Sequence, residues 1–122
     1  MSLNIINPTE ILGRTYVNTL SSSYHTNPSV VLSNTNSDKV FKINSIIATN
    51  NTTTNNEVSI AIRDSNYGGV IAYIVKKLDI PPKSSQIIST KETYFYLEEN
   101  YKLAAAKTGD TSLLISYEVI ST

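Results

Sequence analysis

The chain has 122 residues, ten Lys and Arg against ten Asp and Glu, and no Cys. A single domain is expected at this length, and folding should bury roughly two-thirds of the surface its unfolded chain exposes. Formal neutrality without a basic stripe argues against a nucleic-acid partner, no apolar run approaches the roughly 20 residues of a membrane-spanning helix, and the missing Cys rules out disulfides and thiolate metal sites.

Charged residues make up 16% of the chain, against about 25% in an ordinary domain. Ser, Thr and Asn take their place, and their short side chains suit strand surfaces and turns better than helix interiors. A near-neutral surface also gives little self-repulsion and permits dense packing among copies.

The chain opens with MSLNIINPTEIL (1–12), which has no positively charged stretch of the kind that begins a signal peptide. Leu3, Ile5, Ile6, Ile11 and Leu12 are too many apolar residues for a free tail. Asn7-Pro8 interrupts any regular element, since proline lacks a donor and holds the residue before it extended. Residues 1–12 are therefore read as an N-terminal arm, and 13–122 as one domain. The arm is expected to dock on its own domain, to add as a strand to a neighbouring subunit or another protein, or to stay disordered.

Beyond the arm, polar turn clusters recur every ten residues or so: NTNSD at 34, TNNTTTNN at 49, DSNYGG at 64, DIPPKSS at 79 and KTGD at 107. Short runs rich in Val, Ile, Tyr and Thr lie between them. That rhythm predicts an all-β fold, a sandwich or barrel of antiparallel strands, and the fold expected is a jelly-roll-like antiparallel β-sandwich of about eight strands. RTYVNTL and SVVLSN are the first two strands. In KVFKINSIIA the apolar residues change phase, and a bulge or a change of buried face near Asn44 reconciles them. In EVSIAIRD, Val58, Ile60 and Ile62 face one way. GGVIAYIVKKLDI is apolar for six residues in a row, as in a central strand buried on both faces. Pro81 and Pro82 then end any ladder. SQIIS and TYFYL are two more short strands.

The stretch from Tyr94 to Ile120 can be read as a helix followed by a strand, because LEENYKLAAAK is rich in helix formers. Three strands fit better. Tyr94-Phe95-Tyr96 prefers a strand, and Leu103 falls off the helical stripe that Leu97 and Tyr101 begin. Glu98-Glu99-Asn100 then makes a hairpin loop, with Asn100 suited to positive φ. Thr108-Gly109-Asp110 makes a second tight loop. Leu113, Ile115, Tyr117 and Val119 line one face of the last strand.

Chemistry-bearing motifs are scarce. His25 is the only His and sits in the polar stretch SSSYHTNP, where a surface position is expected. Glu98-Glu99 is the only adjacent acidic pair, and turn neighbours point apart into solvent. There is no P-loop and no Gly-rich dinucleotide motif; Tyr67-Gly68-Gly69 reads as a turn. The overlapping sequons at Asn50 to Thr53 read as an exposed loop. No catalytic residue, cofactor or metal ligand is assigned, and the chain is not expected to be an enzyme. Five of the eight Tyr fall on predicted strands. Tyr94, Phe95 and Tyr96 are consecutive, so they must occupy both faces of their strand. One of those faces meets water or a partner.

KVFKINSIIATN, AYIVKKLDIPPKSSQIIS, YLEENYKLAAA, SLLISYEVI and the N-terminal ILGRTY together resemble a family of small structural proteins of tailed-phage particles, common in phages of aquatic bacteria. Each motif alone is short; their shared order is what carries the resemblance. The family has Gly-Asp after Y-L-E-E where this chain has Asn100-Tyr101, so the turn there is built differently. The resemblance implies a β-sandwich located in a virion, expected as a homo-oligomer in contact with other virion structural proteins: a capsid-decoration or head-fibre subunit, or a neck or tail accessory. A carbohydrate-binding sandwich for host attachment is the alternative, since exposed aromatics could stack on sugars, although Trp is absent. Candidate interface residues are Leu3, Ile5, Ile6, Ile11, Leu12, Tyr94, Phe95 and Tyr96.

Overall fold

The computed structural model describes residues 8–21, 23–66 and 68–122. Leu3, Ile5 and Ile6 of the arm and Tyr67 of the Tyr67-Gly68-Gly69 turn lie outside them. The strands are β1 (Glu10–Thr19), β2 (Ser29–Ser33), β3 (Lys39–Asn50), β4 (Asn56–Asp64), β5 (Gly69–Ile80), β6 (Ser85–Ser89), β7 (Phe95–Leu97), β8 (Tyr101–Lys107) and β9 (Thr111–Ser121). A single 3-10 turn, Lys91–Thr93, is the only helical element among the described residues. β1 starts at Glu10, so the last three residues of the segment read as an arm belong to a strand.

One sheet runs β1-β9-β3-β6, with β7 paired to the first half of β3; the other runs β2-β8-β4-β5. Every pair is antiparallel. The chain changes sheet at each connection except β4–β5 and β6–β7. This interleaved order is that of a jelly roll, two Greek keys folded face to face. The core between the sheets is aliphatic, with Ile43, Ile46, Ile60, Leu103, Leu113 and Ile115 fully buried.

The expected bulge in β3 is present. Ile43 pairs with Tyr117 and Ser45 with Ser116, leaving Asn44 as the extra residue. It lets Ile43 and Ile46 both point inward. In β9, Leu113 and Ile115 are buried, and Tyr117 and Val119 pack against the core.

Tyr94 to Ile120 forms strands, not a helix, with Asn100 (φ 72) and Gly109 (φ 68) in the left-handed region at the two turns. The Glu98–Asn100 loop is not a hairpin, however. β7 pairs with β3 in one sheet and β8 pairs with β2 and β4 in the other, so the loop carries the chain across the sandwich. Gly109 is required twice over: its φ is positive, and a Cβ there would collide with Asn56 Oδ1.

β5 is likewise not a central strand but the edge of its sheet. Ile71 is exposed, while Ile74 and Val75 both pack against the core. Three register shifts against β4 explain this. Each bulge reverses the in–out alternation, so an unbroken apolar run results without burial on both faces.

Two buried asparagines organise the turns. Asn34 donates from Nδ2 to the carbonyls of Lys39 and Leu97, at 2.8 and 3.0 Å. Asn50 donates to Thr54 and Ile80 carbonyls and accepts from Thr52 and Asn56. The sequon loop is thus exposed only between its ends: Asn50 and Asn56 are buried.

Candidate functional site

Directly paired residues of neighbouring strands share one face of a sheet, so the registers show what each outer face displays. On the β1-β9-β3-β6 sheet, Val17 pairs with Leu114, Leu114 with Ile47, and Ile47 with Ile87. One apolar row therefore crosses all four strands on the solvent side. Val17 is 65% exposed, Ile87 62% and Leu114 38%. Rows of hydroxyl residues flank it: Thr19, Ser112, Thr49 and Ser85 on one side, Thr15, Ser116 and Ser45 on the other. In these three rows there is no charge.

The next row along the same face joins Gly13, Glu118, Lys42 and Tyr96. Lys42 Nζ sits 4.5 Å above the Tyr94 ring, and Tyr94 meets Tyr96 edge-on at 5.7 Å. Glu118 accepts a hydrogen bond from Asn44 Nδ2 at 3.1 Å. A last row holds Ile11, Ile120 and Val40.

Of the sequence-derived candidates, the structure brings Ile11, Tyr94 and Tyr96 to this face. Phe95 points the other way and packs against the core, as three consecutive aromatics require. Leu12 is exposed but lies on the inward-facing side of the edge strand β1, opposite Val119. Val17, Ile47, Ile87 and Leu114 are new. Their trace in the sequence is a set of adjacent apolar residues, Tyr16-Val17, Ile46-Ile47, Ile87-Ile88 and Leu113-Leu114, where strict alternation would put a polar residue at one position.

The outer face of the β2-β8-β4-β5 sheet is built differently. Its central residues Ser59, Ala61, Ala104 and Ala106 are small and fully buried. The segment between β1 and β2 lies over them, held by three outward-facing side chains. Ser59 Oγ meets His25 Nδ1 at 2.6 Å, Tyr73 Oη donates to the His25 carbonyl at 2.7 Å, and Arg63 donates to Asn27 Oδ1 and the Pro28 carbonyl at 2.8 and 3.1 Å.

His25 is therefore not a surface residue: it is 9% exposed. A polar neighbourhood in sequence does not reveal that the loop folds back onto a patch of alanines. Ser59 Oγ also accepts the Lys77 N–H at 2.9 Å, at a β5 bulge where Lys77 has φ 54. Lys77 N–H and His25 Nδ1 thus converge on one hydroxyl, while His25 Nε2 is buried without a partner among the described residues. Ser59 is fully buried, so this Ser–His pair is a structural clasp on the segment and presents no nucleophile to solvent.

No group of three or more His, Asp or Glu is placed to hold a metal ion among the described residues. No helix among them is long and apolar enough to cross a membrane. Comparison of the chain with protein-family models, curated proteins and solved structures found no match.

Proposed function

We propose that the chain is a noncatalytic structural subunit of a tailed-phage particle, an accessory of the capsid, neck or tail that assembles with other virion proteins. The observation that carries this reading is the uncharged part of the outer face, with Val17, Leu114, Ile47 and Ile87 in one row. Contiguous exposed apolar surface of this kind marks an interaction site. The order of the sequence motifs supports the virion setting, and the jelly roll is a fold that capsid proteins use. It is also used by lectins, so the fold by itself does not choose between assembly and sugar binding.

The size of the face bears on how the subunit is held. Four strands about 4.8 Å apart, over five residues at about 3.4 Å each, outline roughly 330 Å². A standard stable interface buries about 800 Å² on each partner. Such a face holds a subunit in place together with at least one more contact.

Mass spectrometry of purified particles tests the reading: the chain should be present at a fixed ratio to the major shell or tail protein. Its absence from particles would sink the proposal. The exposed Tyr94–Tyr96 pair favours one alternative, a glycan-binding subunit, because tyrosine faces stack on sugars. A glycan array probed with the purified chain would show retention that Tyr96→Ala abolishes; a silent array removes that alternative.

A further inference from the structure

We propose that two copies of this chain pair through the free edge of β1, antiparallel, with Leu12 on the two-fold axis. The inference rests on the reading of the chain as an assembly subunit and identifies its second contact.

The starting point is which way the β1 backbone groups point. Leu20 N–H donates to the Thr111 carbonyl, in the register that pairs Glu10 with Ser121. Antiparallel bonds fall on every second residue, so the even-numbered β1 residues face β9. The far side of β9 agrees: Thr122 N–H donates to Asp38 and Asn51 N–H to Asp110, which turns even-numbered β9 residues to β3 and odd-numbered ones to β1. The N–H and C=O groups of Ile11, Gly13, Thr15, Val17 and Thr19 therefore point away from the sheet. Among the described residues, β1 pairs with β9 alone, over ten residues and without a register shift.

Proteins blunt such edges with Lys, Pro, bulges or a short strand. β1 uses none of these along its length. Nine of its ten residues are exposed.

A two-fold pairing must join odd-numbered residues to odd-numbered ones, because only those have free backbone groups. Centring it on Leu12 satisfies this and brings three complementary pairs together. Glu10 falls opposite Arg14 of the other copy, and Arg14 opposite its Glu10. These are the only charged residues of β1, and opposite charges directly across a ladder stabilise it. Ile11, 56% exposed, falls opposite Gly13, beside which a Cβ would meet nothing within 4 Å. The isoleucine side chain fills the space the glycine leaves. Leu12 meets its own copy in a non-hydrogen-bonded pair, the closer of the two kinds. Centring on Arg14 instead would set two arginines face to face, which like-charge repulsion disfavours. The resulting sheet continues across the axis through residues 10–14, with the outer faces of both copies on the same side of it.

Sedimentation of the full chain against concentration, with circular dichroism as the folding control, tests the pairing. The wild type should dimerise. Gly13→Pro removes the free-edge N–H that faces Ile11 of the other copy, without touching the β9 ladder, and should give a monomer with an unchanged strand spectrum. Glu10→Arg and Arg14→Glu should each weaken the dimer about tenfold or more, and the double reversal should restore it. A monomeric wild type, as expected if residues 1–7 or another protein covered the edge, overturns the proposal. So does a folded Gly13→Pro chain that still dimerises, or a double reversal that fails to rescue. A monomeric wild type that nonetheless enters particles would sink the pairing and leave the assembly role standing.

Discussion

The two outer faces of this sandwich differ in what covers them. On the β2-β8-β4-β5 sheet the central positions are Ser59, Ala61, Ala104 and Ala106, and the chain's own β1–β2 segment closes over them. On the β1-β9-β3-β6 sheet the corresponding positions carry Val17, Leu114, Ile47 and Ile87, and no described segment of the chain covers them. Small residues leave room for a lid; large apolar ones fill the space a lid would need. A protein that tucks one face under its own backbone has the means to do so on the other. That it instead presents branched apolar side chains to water is a reason to look for a second molecule there.

The contrast is sharpest between neighbours on β9, where the largest effect is expected. Ile115 is fully buried and Leu114 beside it is 38% exposed. Ile115→Ala should cost about 2–4 kcal/mol, as for a buried aliphatic whose cavity cannot collapse. Leu114→Ala should cost less than about 0.5 kcal/mol, as for a surface substitution. Urea unfolding of the two variants measures the difference. Equal losses would mean that the outer row is part of the folded core.

Next in size is an attack on the lid. Ala104→Leu adds a branched side chain where the covering segment lies against the sheet, and overpacking of this kind costs about 1–3 kcal/mol. The matching change on the open face, Ser116→Leu, should shift stability by no more than about 0.5 kcal/mol. If the two cost the same, the faces are not covered differently and the comparison breaks.

How far was this legible in the sequence? The strands were, because turn clusters and β-branched runs alternate so regularly. The β3 bulge was too, since the phase of Val40, Ile43, Ile46 and Ile47 changes across Asn44. What escaped notice depends on partners distant in sequence. β5 read as central because an apolar run looks the same whether two layers cover it or three bulges scramble it. His25 read as exposed because the alanines that receive it lie on β4 and β8. The outer apolar row was written as four adjacent apolar pairs, but which member of each pair faces out, and that the four fall into line, follows only from the registers. Tyr94 and Tyr96 were found because three consecutive aromatics force at least one outward whatever the partner strand.

Smaller again is the effect of untying the lid at its rim. Arg63 holds Asn27 and the Pro28 carbonyl from an outward-facing position on β4. Arg63→Ala should cost about 1 kcal/mol, the net worth of partly exposed hydrogen bonds. Native-state hydrogen exchange should quicken in the β1–β2 segment and hardly at all in β9. Uniform quickening would show that the segment does not open as a unit.

The smallest effect on stability is expected from the substitutions that matter most for assembly. Val17→Ser, Leu114→Ser and Ile87→Ser together remove the solvent-exposed members of the apolar row and keep each strand's β-sheet ladder. None of the three belongs to the hydrophobic core cluster, so unfolding free energy should stay within about 0.5 kcal/mol per site. An apolar row that only faces water would be improved by serine: solubility would rise and nothing else would change. A row that meets a partner loses its contact area instead, and binding should fall by about tenfold or more, the equivalent of about 1.4 kcal/mol. Competition between the tagged wild type and the triple variant for a place in particles reads this directly. Equal incorporation would mean that the open face is merely uncovered, and the functional weight of the comparison would shift from the face of the sheet to its edge at β1.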